Sequence, residues 1–115
     1  MSRLIKSFGF AASGIRHTFK TQPNFRIHTV FCVLVVIAGL LFKLTAIEWL
    51  WILAAISMVL VSELLNTSIE ALVDLVSPEY NKKAGIVKDV AAGAVFIAAS
   101  IAVVIGLIIF LPKFL

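Results

Sequence analysis

Residues 90–112 read VAAGAVFIAASIAVVIGLIIFLP, a run without a single charge. At about 1.5 Å per residue it makes a helix of about 34 Å, long enough to cross a hydrocarbon core of about 30 Å. The whole chain has the same character: 115 residues, 62% hydrophobic and 14% charged, with a mean hydropathy of +1.12. Soluble domains carry about 25% charged and about 45–50% apolar residues, so this composition is suited to lipid. The length fits one domain over residues 1–115 and excludes long soluble kinase or Rossmann-type catalytic domains. Ten Lys and Arg against six Asp and Glu give a net charge of +4. That excess suits anionic headgroups and phosphate, and no nucleic-acid partner is expected. The single cysteine, Cys32, lies in an apolar run, reads as a small hydrophobe and excludes a disulfide framework.

Working outward, residues 48–76 form a second apolar stretch. It opens on Trp49 and Trp51, residues suited to an interface, and turns polar after Ser62. Residues 27–45 form another, interrupted only by His28 and Lys43 near its ends, where both can reach headgroups. Ahead of it, Leu4, Ile5, Phe8, Ala12, Ile15 and Phe19 recur at three- and four-residue spacing, with Arg3, Lys6, Ser7, Ser13 and Arg16 on other faces. This pattern predicts an amphipathic surface helix over about 2–20, ended by Thr21-Gln22-Pro23-Asn24. The stretch lacks the unbroken apolar core and small-residue cleavage site of a secretory signal. The expected fold is therefore all-α and integral to the membrane: three transmembrane helices, over 27–45, 48–76 and 88–112, preceded by the surface helix. Arg3, Lys6, Arg16, Lys20 and Arg26 precede the first span, and Lys82, Lys83 and Lys88 lie between the second and third; only Lys43 and Lys113 fall opposite. The positive-inside rule then puts the amino terminus and second loop in the cytoplasm, with the carboxyl terminus outside a multi-pass cell-membrane protein.

The chemistry sits in the second half of the second span. At about 100° per residue, Glu63, Asn66, Glu70 and Asp74 fall near 0°, −60°, −20° and +20°, and Thr67 near +40°. Three carboxylates, an amide and a hydroxyl thus share one face. An ionisable group at membrane depth costs roughly 2.5–3.5 kcal/mol even on a mild scale, so this face should meet a partner helix or a wet cavity. A solvated helix end is the plainer alternative, better suited to Asp74 than to the deeper Glu63. Clustered carboxylates can bind Mg²⁺ together with substrate phosphates, and one held in low dielectric becomes a better proton acceptor. Lys88, beside Asp89 at the start of the third span, could neutralise a transferred phosphate. These are the parts phosphoryl transfer needs. Familiar phosphate cradles are missing: Gly9 and Gly14 have Walker-like separation, but no Lys-Ser/Thr follows. His17 and His28 lack zinc-site spacing and read as interfacial polar residues.

The run Glu63-Leu64-Leu65-Asn66-Thr67-Ser68-Ile69-Glu70-Ala71-Leu72-Val73-Asp74, followed by Ser-Pro-Glu-Tyr at 77–80 and Lys88-Asp89-Val90-Ala91-Ala92-Gly93-Ala94-Val95, resembles the prokaryotic diacylglycerol kinase and undecaprenol kinase family. The likeness extends to the surface helix and to Asn24-Phe25-Arg26-Ile27-His28 ahead of the first span. It implies a homotrimer with active sites shared between subunits, transferring the γ-phosphate of ATP to a membrane lipid hydroxyl with Mg²⁺. It further implies that Glu63 is the general base, that Glu70 is a metal ligand, and that Asn66 and Asp74 support the site. Lys88, Asp89 and the loop Glu79-Tyr80-Asn81 resemble nucleotide contacts, with Arg3 and Phe10 bordering the same pocket and Phe25 and Arg26 on its substrate side. Where the family has a second glutamate ligand, this chain has Gln22, whose neutral carbonyl could still reach a metal with less charge compensation. The Asn-Phe-Arg-Ile-His and Lys-Asp-Val-Ala-Ala-Gly-Ala-Val segments look more like the undecaprenol branch than the diacylglycerol branch. A different class of function, a non-catalytic membrane oligomer or pore, would instead turn the acidic face toward a common axis and tolerate loss of Lys88.

Overall fold

Pro23 and the caps around it decide where the first two helices meet. In the computed structural model, which describes residues 2–115, α1 covers Ser2–Thr21 and α2 covers Pro23–Leu41. Gln22 between them is extended, at φ −114° and ψ 103°, and Pro23 sits in the first turn of α2, where its missing N–H costs nothing. Arg26 fixes the junction: its Nη1 donates to the carbonyls of Phe19 at 2.7 Å and Lys20 at 2.9 Å, satisfying the open end of α1. Phe25 is buried and meets Phe19 edge to face, with ring centroids 6.5 Å apart. Helix α2 thus begins four residues before the apolar span expected from Ile27, because the proline rather than the hydropathy sets its start.

Helix α3 covers Ala46–Val76 and α4 covers Lys82–Phe114. Thr45 and Glu48 open α3 with a capping box, the Thr45 hydroxyl accepting from the Glu48 N–H and the Glu48 carboxylate from the Thr45 N–H. Asn81 opens α4 by accepting from the N–H groups of Lys83 and Ala84. Lys82, Lys83, Lys88 and Asp89 therefore stand on the first turns of a helix, although the apolar run begins only at Val90. The fold is all-α, and α2, α3 and α4 are each long and apolar enough to cross a membrane. At about 1.5 Å per residue α3 and α4 are about 46 and 50 Å long, well beyond a hydrocarbon core of about 30 Å.

Within the spans, hydroxyls are satisfied locally. Thr29, Ser57, Ser62, Thr67 and Ser100 each donate to a carbonyl three or four residues back, as a solvent without hydrogen-bonding capacity demands. Packing is dominated by α3 against α4, with α2 laid along α3. Buried Leu44, Ile52 and Ile109 form the core with Val35, Trp49, Ile56, Ile105 and Phe110 around them. Lipid tails are as apolar as these side chains, so close van der Waals fit rather than transfer from water holds this core together. At the same end Lys113 reaches Glu48 at 3.1 Å, tying the end of α4 to the start of α3.

The turn after α2 shows how tight that fit is. Leu44 N–H bonds the Gly39 carbonyl at 3.1 Å and Lys43 N–H the Leu40 carbonyl, with Lys43 at φ 55°. This double closure brings the Leu44 side chain back over the bare backbone of Gly39. A Cβ on Gly39 would lie 2.6 Å from Cη2 of Trp49 and 3.0 Å from Cδ1 of Leu44. Gly39→Ala is expected to destabilise the protein by about 1–3 kcal/mol, the usual cost of overpacking. Thermal unfolding in detergent checks this, and an unchanged midpoint would show that Trp49 can move aside.

Candidate active site

The connection over 77–81 makes α3 and α4 antiparallel, and the short turn before α3 does the same for α2 and α3. The end of α3 therefore shares one end of the bundle with the starts of α2 and α4 and the close of α1. Glu63, Asn66, Glu70 and Asp74 come from α3, Gln22, Phe25, Arg26 and His28 from around the start of α2, and Lys88 and Asp89 from α4.

Burial divides the acidic face into a deep and a shallow part. Glu63 is 2% exposed and Thr67 is buried beside it, Asn66 and Glu70 are half-buried, and Asp74 is exposed. Glu63 is paired across the helix interface, with its Oε1 3.1 Å from Nδ1 of His28. One turn on, the Asn66 amide donates to Glu70 Oε1 at 3.3 Å, while Asn66 Oδ1 is buried without a hydrogen-bond partner. Glu63 and Glu70 lie within electrostatic range of each other, as do Glu70 and Lys88. Lys88 Nζ bonds Asp74 Oδ1, so the acidic face that starts at the buried Glu63 ends on an exposed ion pair.

Among the described residues, no group of three or more His, Cys, Asp or Glu converges as a metal site. The donors present are Glu70 and the unpartnered oxygen of Asn66, a set that fits an ion taking one or two carboxylates plus waters and phosphate oxygens. Gln22 is half-buried, and its side chain is not spent on capping α2.

Other residues singled out in the sequence have local structural duties or stand open. Asn81 caps α4, Arg26 caps α1, and Phe25 packs on Phe19. Tyr80, Glu79, Asp89, Arg3 and Phe10 are exposed, Tyr80 at 91%. His28, read from the sequence as an interfacial residue, is instead the partner of the deepest carboxylate. A histidine six positions past the break at Gln22 was the available signal, but its partner lies on another helix and only the α2–α3 register reveals it.

Next to this pair an apolar cavity of about 370 Å³ opens between α2, α3 and α4. Cys32, Val35, Ile52, Val59 and Gly106 are among its lining residues, and His28 stands at its polar end.

A buried carboxylate, carboxylate and amide oxygens of the kind that bind metal, and a lysine thus come from α3 and α4, two of the three helices long and apolar enough to cross a membrane. The chain belongs to the prokaryotic diacylglycerol kinase family, whose model matches residues 9–110, and it is a lipid kinase. It is 44% identical over 113 residues to an undecaprenol kinase of Bacillus subtilis, covering 98% of this chain and 92% of that one. It is equally identical, at 44% over 113 residues, to a diacylglycerol kinase of Synechocystis, covering 97% of this chain and 65% of the other. A diacylglycerol kinase of Escherichia coli is 32% identical over 103 residues, 90% of this chain and 84% of that one.

Proposed function

We propose that the protein phosphorylates undecaprenol from MgATP on the cytoplasmic side of the cell membrane, as a homotrimer. The observation that carries the choice of lipid is the lining of the cavity bordered by His28, the partner of Glu63; apart from His28 and the thiol of Cys32 its side chains are hydrocarbon. A prenol bears only hydrocarbon next to its hydroxyl. A diacylglycerol brings two ester groups within a few bonds of it, and polar groups desolvated without partners are costly. The undecaprenol kinase relative also matches over nearly its full length.

In this reading Glu63 accepts the proton as the O–H bond of the lipid breaks. The lipid oxygen bonds to the γ-phosphorus, the bond to the ADP oxygen breaks, and ADP leaves. Lys88, released from Asp74, meets the charge spread over the oxygens of the transferred phosphoryl group. Glu70, the Asn66 oxygen and Gln22 would hold Mg²⁺, which supplies charge neutralisation for the triphosphate. Glu79, Tyr80, Asn81 and Asp89 are exposed around the start of α4, and Arg3 and Phe10 are exposed on α1, available to the nucleotide or to a neighbouring subunit.

The test is the purified protein in lipid vesicles with labelled ATP and Mg²⁺, offered undecaprenol and diacylglycerol side by side. Leaving an ester unpartnered predicts kcat/KM higher for undecaprenol by about tenfold or more. Equal or reversed preference would overturn the choice of lipid. Glu70→Gln is expected to raise several-fold the Mg²⁺ concentration giving half-maximal rate, and an unchanged titration would remove it from the ligand set.

A further inference from the structure

We propose that His28 is a positioning residue for Glu63, its Nδ1–H holding one carboxylate oxygen so that the other faces the lipid hydroxyl. The inference rests on Glu63 being the base, and it adds how that base is oriented.

Nδ1 of His28 lies 3.1 Å from Glu63 Oε1, with side-chain exposures of 24% for His28 and 3% for Glu63. The N–H direction misses the oxygen, so Nδ1 is buried without a well-directed hydrogen bond. Contacts of catalytic groups are often loose before substrate arrives and tighten in the complex. No other nearby polar side chain is committed to the carboxylate. Thr67 donates to the carbonyl of Glu63, Ser62 to that of Val59, and the Asn66 amide to Glu70. A carboxylate buried in this way needs a donor. His28 is the group placed to supply it.

The backbone under His28 is firmly held, as a positioning role requires. Arg26 is fixed to the end of α1, Phe25 is packed against Phe19, and the Thr29 hydroxyl is bonded to the Phe25 carbonyl at 2.8 Å. His28 also lines the apolar cavity, so the ring that meets Glu63 borders the space that a hydrocarbon tail would fill. A ring holding Oε1 leaves Oε2 for the proton.

The experiment compares two substitutions in the reconstituted full-length protein. His28→Phe keeps a ring but no donor; His28→Asn loses bulk but places an amide N–H near the position of Nδ1. Since a misplacement of about 1 Å can cost about 10²-fold, His28→Phe is expected to lower kcat about 10- to 100-fold with KM for MgATP within about twofold. His28→Asn is expected to recover most of the rate. A space-filling role predicts the reverse order, Phe near wild type and Asn impaired, and that result would overturn the proposal. Glu63→Gln measured alongside separates the two ideas. An active Glu63→Gln overturns the base assignment and this inference together, whereas an inactive one beside a fully active His28→Phe overturns the inference alone. Should His28→Phe not fold, ¹⁵N NMR of the unsubstituted protein with labelled histidine gives an independent reading. His28 is expected to carry a proton on Nδ1, and a bare Nδ1 would overturn the proposal.

Discussion

Glu63→Gln is expected to lower lipid phosphorylation by about 10²-fold or more while MgATP binding persists, the loss usual when a general base is removed. The substitution keeps volume and polarity, and the site is shaped to accept it. Glu63 is 2% exposed and faces His28 across the α2–α3 interface, so a smaller residue would leave Nδ1 of His28 without any neighbour to answer it. Glutamine offers a carbonyl to His28 in place of the carboxylate oxygen, which preserves the fold and isolates the chemistry. A nucleotide-binding assay beside the rate measurement completes the test. Near-normal turnover would refute the role of base, and loss of binding together with turnover would mean that Glu63 supports the pocket instead.

Lys88→Met is expected to cost about 10²–10³ in kcat/KM for MgATP, the range seen when one stabiliser of developing transition-state charge is removed. Lys88 meets Asp74 at the solvent side of the α3–α4 interface, and its side chain is 39% exposed. An ion pair that open adds little to stability, so methionine should leave thermal unfolding almost unchanged while the rate collapses. That divergence separates a catalytic cation from a structural one. It also addresses the alternative of a conducting oligomer, which would tolerate the change; unaltered kinetics in Lys88→Met would contradict the phosphoryl-transfer role.

The parts of the molecule legible in the sequence are those where one local signal suffices. The uncharged run at 90–112, the apolar periodicity of the first 20 residues and the break at Pro23 each act within a few residues, and the helices follow them. The acidic face of α3 was legible for the same reason, since helical geometry alone aligns Glu63, Glu70 and Asp74. What was not legible depends on pairing between distant segments. His28 and Glu63 are 35 positions apart, and nothing in either helix alone states the register that joins them. Glu48 and Lys113 meet at the opposite end for a reason equally invisible until α3 and α4 are laid side by side. Helix ends escaped for another cause: hydropathy marks where lipid-compatible residues begin, whereas Pro23 and Asn81 decide where helical hydrogen bonding begins. The roles of Arg26 and Asn81 show the same competition, because side chains with functional resemblance also close helix ends.

On the proposed function, the carboxylate buried in the second half of α3 takes a proton from a lipid alcohol facing a triphosphate. The most direct measurement is a structure of the protein in a bilayer mimetic with a non-hydrolysable MgATP analogue and undecaprenol. The lipid hydroxyl is expected at about 2.6–3.2 Å from the Glu63 carboxylate, with the γ-phosphate between it and Lys88. A hydroxyl seated away from Glu63, or a triphosphate bound out of reach of both Glu70 and Lys88 of every subunit, would contradict it.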